Sequence, residues 1–511
     1  MLITSSLARS FGQIGVLTAA SRILGLLRDI VFAAFLGAGP AADAFLVALK
    51  LPNMFRRLSA EGALSNAFVP SFAREARENG GASALRLASE VQAVLLFVLL
   101  AVVVVFEIMM PSIVMLLAPG FSTTPERFAA AVALARITMP YLPMISLVAF
   151  WAAIANAHDR FVPGAAMPIL FNVCMIGGAL VIPLLSGELG VQKAKPVAFG
   201  LLGAGALQMA VMYVVLHRMG KVPHFSFALK TSAIARRMWR KFLPAALGAF
   251  GMQLNLIVDL ILASLLPVGA ISWLYYADRI VQLPLGIVGI ALGTALLPRF
   301  SQAEAAGDNE AVKTALGGAI TLGGFLVVPA VTGLIILAEP ILTGLFAHGA
   351  FTRNDAGMAG LALVAYAVGL PGFVLVKILQ PAFYAAGRPG TVLKISAVMV
   401  ITNIAGSLLL MGPFGHMGLA IATAISGLLA AVIMMLLLAA AGKISRAVLS
   451  PLVRILLASG VMAVLLWFLR PVVADLASVV RLLILVVAGG GTYFAAAALF
   501  GAVPVDLLRR R

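Results

Sequence analysis

The sequence predicts an all-α polytopic membrane protein with fourteen transmembrane helices, arranged as two pseudo-symmetric six-helix lobes plus two C-terminal helices. Composition is the first observation behind this prediction. Of the 511 residues, 62% are hydrophobic and 11% are charged, whereas soluble domains average about 45–50% and about 25%. The mean hydropathy is +1.09, and a soluble enzyme of this length has no interior large enough for so many apolar side chains. The other two observations are the series of apolar segments and an internal repeat.

Fourteen segments are long and apolar enough to cross a bilayer, which requires about 20 mostly apolar residues. The third segment is the most apolar, because it consists mainly of Val, Leu, Phe and Ile. The first two are the least apolar, because charged residues and helix breakers interrupt them. In order, the segments are 13–36, 42–72, 90–117, 129–155, 163–185, 196–217, 241–266, 271–298, 314–338, 357–384, 391–411, 416–441, 451–470 and 480–501.

The distribution of Lys and Arg predicts the orientation of these segments. An even number of spans places both termini on the same side of the membrane. If that side is the cytoplasm, the segment 218–241 alone carries seven basic residues, and the opposite loops carry Arg127, Lys193, Lys195, Arg353 and Arg470. Cytoplasmic loops are enriched in basic residues, so both termini are predicted to be cytoplasmic. The net charge of +17 then reflects these loops, and no nucleic-acid partner is expected.

An internal repeat divides the chain. Matching prolines and glycines recur after 228 or 229 residues, as in Pro70 and Pro298 or Pro143 and Pro371. This interval contains six spans, so the two copies have the same orientation, an organisation known from secondary transporters. The predicted domains are an N-terminal lobe at 1–225, a C-terminal lobe at 226–445 and a two-helix addition at 446–511. In the basic connection between the lobes, 233–242 has the pattern of an amphipathic interfacial helix.

Charged residues occupy spans 1, 2 and 8, although a charge at the bilayer centre costs about 2.5–3.5 kcal/mol. Six of them are basic and four are acidic, and in span 2 several fall on one helical stripe. The basic excess predicts a hydrated cationic cavity that binds an anion, since Arg forms bidentate bonds with phosphate oxygens. The alternative is a set of internal ion pairs that only fix helix packing. The residues are Arg22, Arg28, Asp29, Asp43, Lys50, Arg56, Arg57, Glu61, Asp278 and Arg279.

The motifs around these charges resemble one family. They are similar to the signatures of the MurJ (MviN) family, bacterial lipid II flippases of the MOP exporter superfamily, and the resemblance extends over nearly the whole chain. The motifs are Ser21-Arg22-Ile23-Leu24-Gly25, Arg28-Asp29, Ala42-Asp43-Ala44-Phe45, Lys50-Leu51-Pro52-Asn53, Arg56-Arg57, Ala60-Glu61-Gly62-Ala63 and Tyr276-Ala277-Asp278-Arg279.

The resemblance implies a transporter rather than an enzyme. Its substrate would be the undecaprenyl-pyrophosphate-linked peptidoglycan precursor, lipid II, flipped by alternating access from the cytoplasmic to the periplasmic leaflet of the bacterial inner membrane. The last two spans would accept the lipid tail, and membrane lipids and the cell-wall synthesis machinery would be further partners. The implied substrate-binding residues are Ser21, Arg22, Arg28, Asp43, Lys50, Asn53, Arg56, Glu61 and Arg279.

No cofactor is expected, and the resemblance implies coupling to Na⁺ or to the membrane potential. In some relatives, polar groups of the second lobe resemble a sodium-binding arrangement. The corresponding positions here are Asp259, Asn403 and Thr423, but Ser407 stands where a carboxylate would help. The alternative is that Asn403 and Thr423 only hydrogen-bond between helices. The sequence contains no phosphate-binding P-loop motif, so ATP hydrolysis is not predicted.

Two other functions stay open at this point. A cation-coupled exporter of another substrate in the same superfamily should have an acidic or aromatic cavity, whereas the predicted cavity is basic. A membrane enzyme acting on polyprenyl phosphates needs a catalytic acid or base beside the arginines, and no paired acidic motif occurs in the sequence.

Overall fold

We describe the protein from a computed structural model, which describes residues 5–60, 63–185, 190–225 and 231–504. Within these ranges the regular structure is entirely helical, which confirms the all-α prediction. In the same ranges, nine helical segments are long and apolar enough to cross a membrane. The count of fourteen spans therefore stays a prediction. By packing, the chain divides into two compact units, Met1–Gly269 and Ala270–Arg511.

Nine α-helices lie among the described residues of the first unit. They are α1 (Ser5–Leu36), α2 (Pro40–Ala60), α3 (Ala63–Glu78), α4 (Gly80–Leu117), α5 (Pro125–Thr138), α6 (Tyr141–Asn156), α7 (Val162–Leu180), α8 (Lys195–Arg218) and α9 (Ala233–Ser264). Helix α1 packs against α7, α2 packs against α5 and α6, and α7 packs against α8.

Three of the predicted spans each cover more than one helix. The second span, 42–72, covers α2 and α3, with Pro52 inside α2 and Pro70 inside α3. The fourth span, 129–155, covers α5 and α6, which are separated at Met139 and Pro140. The eighth span, 271–298, covers the helices Ala270–Pro284 and Ala291–Ala305. Proline removes a backbone donor and crowds the preceding turn, which explains the interruption at Pro140.

Helix α9 packs within the first unit, against α2, α3 and α4. It begins at a cap in which the Ser232 hydroxyl accepts a hydrogen bond from the Ala235 amide. In its first turns Ala235 and Met238 are buried, whereas Arg236, Arg237 and Arg240 are exposed, so the amphipathic pattern is present. The division at Gly269 reflects which residues pack together, whereas the predicted boundaries come from the spacing of the sequence repeat. The domain boundaries 1–225, 226–445 and 446–511 stay predictions.

Eight α-helices lie in the part of the second unit that the structure describes. They are α10 (Ala270–Pro284), α11 (Ala291–Ala305), α12 (Asn309–Ile336), α13 (Ala338–Phe346), α14 (Arg353–Ala385), α15 (Pro389–Ala440), α16 (Leu449–Val472) and α17 (Ser478–Leu499), and a π-helical segment at Leu285–Ile290 joins α10 to α11. Helix α14 is the central element, in contact with α10, α11, α12, α13 and α15.

Helix α15 is long because two helices follow each other with little interruption. Gly415 has φ 57° and ψ −134°, a conformation that is open to glycine and strained for other residues. The two parts correspond to the predicted spans 391–411 and 416–441. Helix α15 also lies very close to α14, since a Cβ on Gly372 would come within 2.7 Å of the Gly427 carbonyl carbon. Such small-residue contacts are typical of helices packed in membranes.

The last two helices pack on α12 and α13 through one face. In this contact the Tyr493 hydroxyl donates a hydrogen bond to the Phe325 carbonyl oxygen at 2.6 Å, and Leu466 and Leu485 are fully buried. The opposite face of α16 exposes Trp467 by 70% and Phe468 by 69%. A helix that exposes large aromatic side chains in an apolar protein is suited to contact with lipid.

Candidate functional site

Arg28 lies buried between α1 and α7. Its side chain is bonded to Asp29 through Nε at 3.0 Å and Nη2 at 2.7 Å, and Nη1 donates to the Asn172 side-chain oxygen at 3.1 Å. The guanidinium carbon also lies 5.6 Å from the ring centre of Phe32 and 5.5 Å from that of Phe171. With Arg28 6% and Asp29 2% exposed, this arrangement is the predicted internal pair, held by an amide and two aromatic rings.

Asn172 connects this cluster to the preceding turns of α1. Its amide nitrogen donates to the Ser21 carbonyl oxygen at 3.0 Å, and it faces Gly25, whose missing Cβ would lie 3.7 Å from that nitrogen. The structure therefore brings Ser21 and Arg28 to one polar cluster through a residue of α7. Arg22 is half-buried on α1, and six residues of helix place it about 120° away from Arg28.

Asp43 is at the start of α2 and is completely buried. Its Oδ2 accepts a hydrogen bond from Arg127 Nη2 at 2.6 Å and another from the Gly269 amide at 2.8 Å. The Arg127 side chain is also buried, and its guanidinium carbon lies 3.8 Å from the centre of the Phe121 ring. The structure thus places Asp43 in an internal ion pair with α5. The substrate-binding role that the resemblance gives to Asp43 stays a prediction.

Three further predicted residues belong to the second half of α2. Lys50 and Asn53 are half-buried there. The side chain of Arg56 and the whole of Glu61 lie outside the residues that the structure describes.

Arg127 shows what the sequence pattern missed. It lies in the first turn of α5, and by hydropathy it is one of the few basic residues of an external loop. A buried ion pair and a solvated loop residue have the same sequence signature at the edge of an apolar segment. The partner of Arg127 is 84 residues away along the chain, so only tertiary packing identifies it.

Arg279, on α10, is the predicted substrate-binding residue of the second unit. Its Nη2 donates to the Tyr275 hydroxyl at 3.2 Å, and its guanidinium carbon lies 4.8 Å from the centre of the same ring. The neighbouring Asp278 accepts a hydrogen bond from Gln282, one turn further along. Tyrosine therefore holds the Arg279 guanidinium by stacking and by a hydrogen bond, which keeps the planar donor set in a defined orientation.

The π-helical segment after α10 is a second irregular feature of this region. Gly289 within it faces the aliphatic part of Lys377 from α14, and a Cβ on Gly289 would lie 3.6 Å from Lys377 Cγ. Single π-helical turns are rare and occur frequently at functional sites. The segment thus packs against the stem of a lysine whose side chain is exposed.

The predicted sodium ligands are divided between the two units. Asp259 belongs to α9 in the first unit, and Asn403 and Thr423 belong to α15 in the second. The Asn403 amide donates to the Thr423 hydroxyl at 2.9 Å, the interhelical bond that was the alternative prediction. The Asn403 carbonyl oxygen and the Ser407 hydroxyl are buried, and neither has a hydrogen-bond partner among the described residues. These neutral oxygens suit a hard cation, whereas the predicted acidic ligand, Asp259, belongs to the first unit.

A further charged pair lies on the apolar surface of the first unit, and the sequence analysis did not select it. Glu107 of α4 is 4.0 Å from Arg136 of α5, and both side chains are partly exposed. Glu107 is the only charged residue between 91 and 117, so an isolated acid in the most apolar span was the available signal. Arg136 compensates that charge in an otherwise unfavourable environment.

Comparison with known proteins identifies relatives over most of the chain. A family model described as lipid II flippase MurJ matches residues 32–488. A probable lipid II flippase MurJ of Rhizobium tropici is 36% identical over 516 residues, which cover 99% of this chain and 96% of the relative. A lipid II flippase MurJ of Burkholderia cenocepacia is 32% identical over 435 residues, which cover 84% of this chain and 83% of the relative.

Solved structures give the same result. A lipid II flippase MurJ in an inward closed conformation matches with a TM-score of 0.80 and 25% identity, over 97% of this chain and 99% of that one. An inward-facing multidrug resistance MATE transporter of the MOP superfamily matches with a TM-score of 0.68 over 81% of this chain and 93% of that one. At 16% identity, the second match shows a shared fold alone.

Proposed function

The chain belongs to the lipid II flippase MurJ family, and we propose that it moves lipid II from the cytoplasmic to the periplasmic leaflet of the bacterial inner membrane. It is a multi-pass membrane transporter and not an enzyme. The observation that carries the proposal is a set of cations in apolar helices. Arg28 is buried at the α1–α7 contact, and Arg22, Lys50 and Arg279 are half-buried on α1, α2 and α10.

These cations suit the charged part of a lipid-linked pyrophosphate. The arginine fork matches two phosphate oxygens, and a partly dehydrated site strengthens each such bond. In the proposed mechanism Arg22, Arg28, Lys50, Arg56 and Arg279 bind the pyrophosphate. Ser21, Asn53 and Glu61 supply further polar contacts. Arg28 exchanges Asp29 and Asn172 for phosphate oxygens, because a dianion competes well for a guanidinium that is already desolvated.

The isoprenoid tail has a different requirement, because it gains nothing from entering a polar site. We assign it to the surface of α16 and α17. The exposed apolar residues of these helices, among them Trp467, Phe468 and Val487, support this assignment. The headgroup then crosses within the protein by alternating access while the tail stays in the bilayer.

The direction of transport requires a free-energy source. The membrane potential contributes about 2.3 kcal/mol per charge for each 100 mV, which is enough to bias a cycle in which cations and a pyrophosphate change sides. Na⁺ coupling through Asp259, Asn403 and Thr423 is a second possibility that the free oxygens of Asn403 and Ser407 support. The direct bond between Asn403 and Thr423 argues for membrane potential as the main source.

We further propose that both termini are cytoplasmic and that membrane lipids and the cell-wall synthesis machinery are partners. The basic segment 218–241 supports this orientation. The exposed Arg236, Arg237 and Arg240 at the start of α9 provide charge that anionic lipid headgroups attract.

Depletion of the protein in its own host tests the function. Cells are then supplied with the wild type, Arg28→Ala, Arg279→Ala or the control Arg160→Ala, whose side chain is exposed in the turn after α6. The fraction of lipid II in each leaflet is measured with a membrane-impermeant reagent for the peptide amine of the precursor.

We expect lipid II to accumulate in the cytoplasmic leaflet on depletion. The wild type and Arg160→Ala should restore its distribution, whereas Arg28→Ala and Arg279→Ala should not. An unchanged distribution on depletion, together with failed export of another solute, would contradict the proposed substrate.

A further inference from the structure

Polar contacts hold the segment at which the chain leaves the first unit. Helix α9 ends at Ser264, and the unit ends at Gly269, which has φ 98°. The Gly269 amide donates to Asp43 Oδ2 at 2.8 Å. Gly269 is followed directly by α10, the helix that carries Arg279. The last residue of the first unit is therefore fixed, through its backbone amide, by a side chain of α2.

Arg127 determines the state of that side chain. It donates to the same oxygen, Asp43 Oδ2, at 2.6 Å, and Asp43 is 0% and Arg127 2% exposed. A buried carboxylate without a cation would take up a proton or turn away, because an uncompensated charge at this depth is too costly. Arg127 thus compensates the Asp43 carboxylate while the same oxygen, Oδ2, accepts from the Gly269 amide.

The surrounding residues hold Arg127 in turn. Phe121 covers one face of the guanidinium at 3.8 Å. Phe121 belongs to the turn between α4 and α5, and the Gly120 amide of this turn donates to the Ser264 hydroxyl at 3.2 Å. The turn also lies directly on the end of α9, because a Cβ on Gly120 would come within 2.8 Å of Leu265 Cα. Both ends of the segment 264–269 are therefore fastened to the same turn and ion pair.

We infer that Asp43, Arg127 and the Gly269 amide form a latch that fixes the segment 264–269 at the end of the first unit, and that Asp43 acts through this latch instead of binding substrate. The inference rests on the proposed function, since it concerns how the segment that precedes the helix bearing Arg279 is held during transport. Asp43 and Arg127 are positioning residues in this account. Substrate affinity resides in the remaining cations, and the latch affects the transition between conformations.

Two variants separate a latch from an ordinary ion pair. Arg127→Lys keeps the charge and should retain most of the function. Exchange of the charges, Asp43→Arg with Arg127→Asp, restores an ion pair but leaves the Gly269 amide without its acceptor. If the ion pair only holds α2 against α5, the charge exchange should restore function. If the latch to Gly269 is required, the charge exchange should not restore function. Arg353→Ala is the control, because Arg353 is an exposed cation in the first turn of α14.

The test combines three measurements on the purified full-length protein in nanodiscs: amide hydrogen exchange of segment 264–270, binding of lipid II, and lipid II flipping after reconstitution. For Arg127→Ala and for the charge exchange we expect exchange about tenfold faster or more. We also expect flipping at least about tenfold slower and binding within about twofold of the wild type. Arg127→Lys and Arg353→Ala should stay close to the wild type in all three.

Either of two results would overturn the latch. One is unchanged amide exchange in Arg127→Ala. The other is a loss of lipid II binding in Asp43→Asn as large as that in Arg279→Ala, which would make Asp43 a substrate ligand. If Arg127→Ala does not fold, the comparison of Asp43→Asn, Arg127→Lys and the charge exchange decides in its place. If the wild type neither binds nor flips lipid II, the proposed function fails, and amide exchange alone still decides whether the latch exists.

Discussion

The two units connect corresponding helices through different polar contacts. In the first unit the start of α2 is joined to the start of α5 by the buried ion pair of Asp43 and Arg127. In the second, α10 is joined to the start of α14 by a hydrogen bond of 2.9 Å from Trp273 Nε1 to Asp355. Arg127 and Asp355 are 228 residues apart, which is the spacing of the repeat.

The two contacts, which we call joints, differ in how far the carboxylate depends on the residue of the other helix. Asp355 is half-buried and is satisfied locally, because it accepts from the Thr352 amide and hydroxyl in a capping box. The charge of Asp43 is compensated by Arg127, a residue of another helix. A repeat can therefore preserve the position of a joint while one copy becomes sensitive to single substitutions and the other stays tolerant.

The two units should differ most in how they tolerate a substitution in the turn before each joint. Gly120→Ala places a Cβ against the backbone of Ser264 and Leu265, which cannot move without shifting the end of α9. Gly349, 229 residues later, is exposed and has a positive φ of 63°, which costs another residue about 1–2 kcal/mol. We expect Gly120→Ala to abolish folded protein and Gly349→Ala to leave it, as measured by detergent gel filtration. Equal yields of the two variants would contradict the comparison.

A smaller difference is expected at the joints themselves. Asp43→Ala leaves Arg127 as a buried, uncompensated charge, which typically destabilises by about 3–5 kcal/mol. Trp273→Phe removes one hydrogen bond to a charged acceptor, which is worth about 1.5–3 kcal/mol. The apparent melting temperature in one detergent should therefore fall further for Asp43→Ala. A larger fall for Trp273→Phe would show that the second joint is the more important one.

The smallest difference is expected at two turns that have the same hydrogen bonds. The Arg160 amide donates to the Ala155 carbonyl, and the Arg388 amide donates to the Phe383 carbonyl. The residue with positive φ is Asp159 (58°) in the first turn and Gly387 (67°) in the second. Gly387→Ala should destabilise by about 1–2 kcal/mol. Asp159→Gly should change stability by less than about 1 kcal/mol, since the relief of strain and the added freedom of the unfolded chain oppose each other. Thermal melting of both variants checks this order.

Much of this architecture could be predicted from the sequence, because hydropathy over about 20 residues reports membrane helices directly. The division of α15 at Gly415 follows from the gap between two predicted spans, and the Asn403–Thr423 bond was one of two stated alternatives. The Asp43–Arg127 pair could not be predicted, because a contact between residues 84 positions apart depends on how α2 and α5 pack. The packing of α9 with the first unit is likewise a tertiary property, which the repeat spacing does not encode.

The central claim is that the cations of these apolar helices move a lipid-linked pyrophosphate across the bilayer. The most direct test is flipping of fluorescent lipid II by the purified protein in liposomes under an imposed membrane potential, followed with a membrane-impermeant quencher. We predict transbilayer movement with the wild type and with Arg160→Ala, and movement close to that of protein-free liposomes with Arg28→Ala. Equal flipping by Arg28→Ala and the wild type would contradict the role of the buried arginine, and no flipping by the wild type would contradict the function itself.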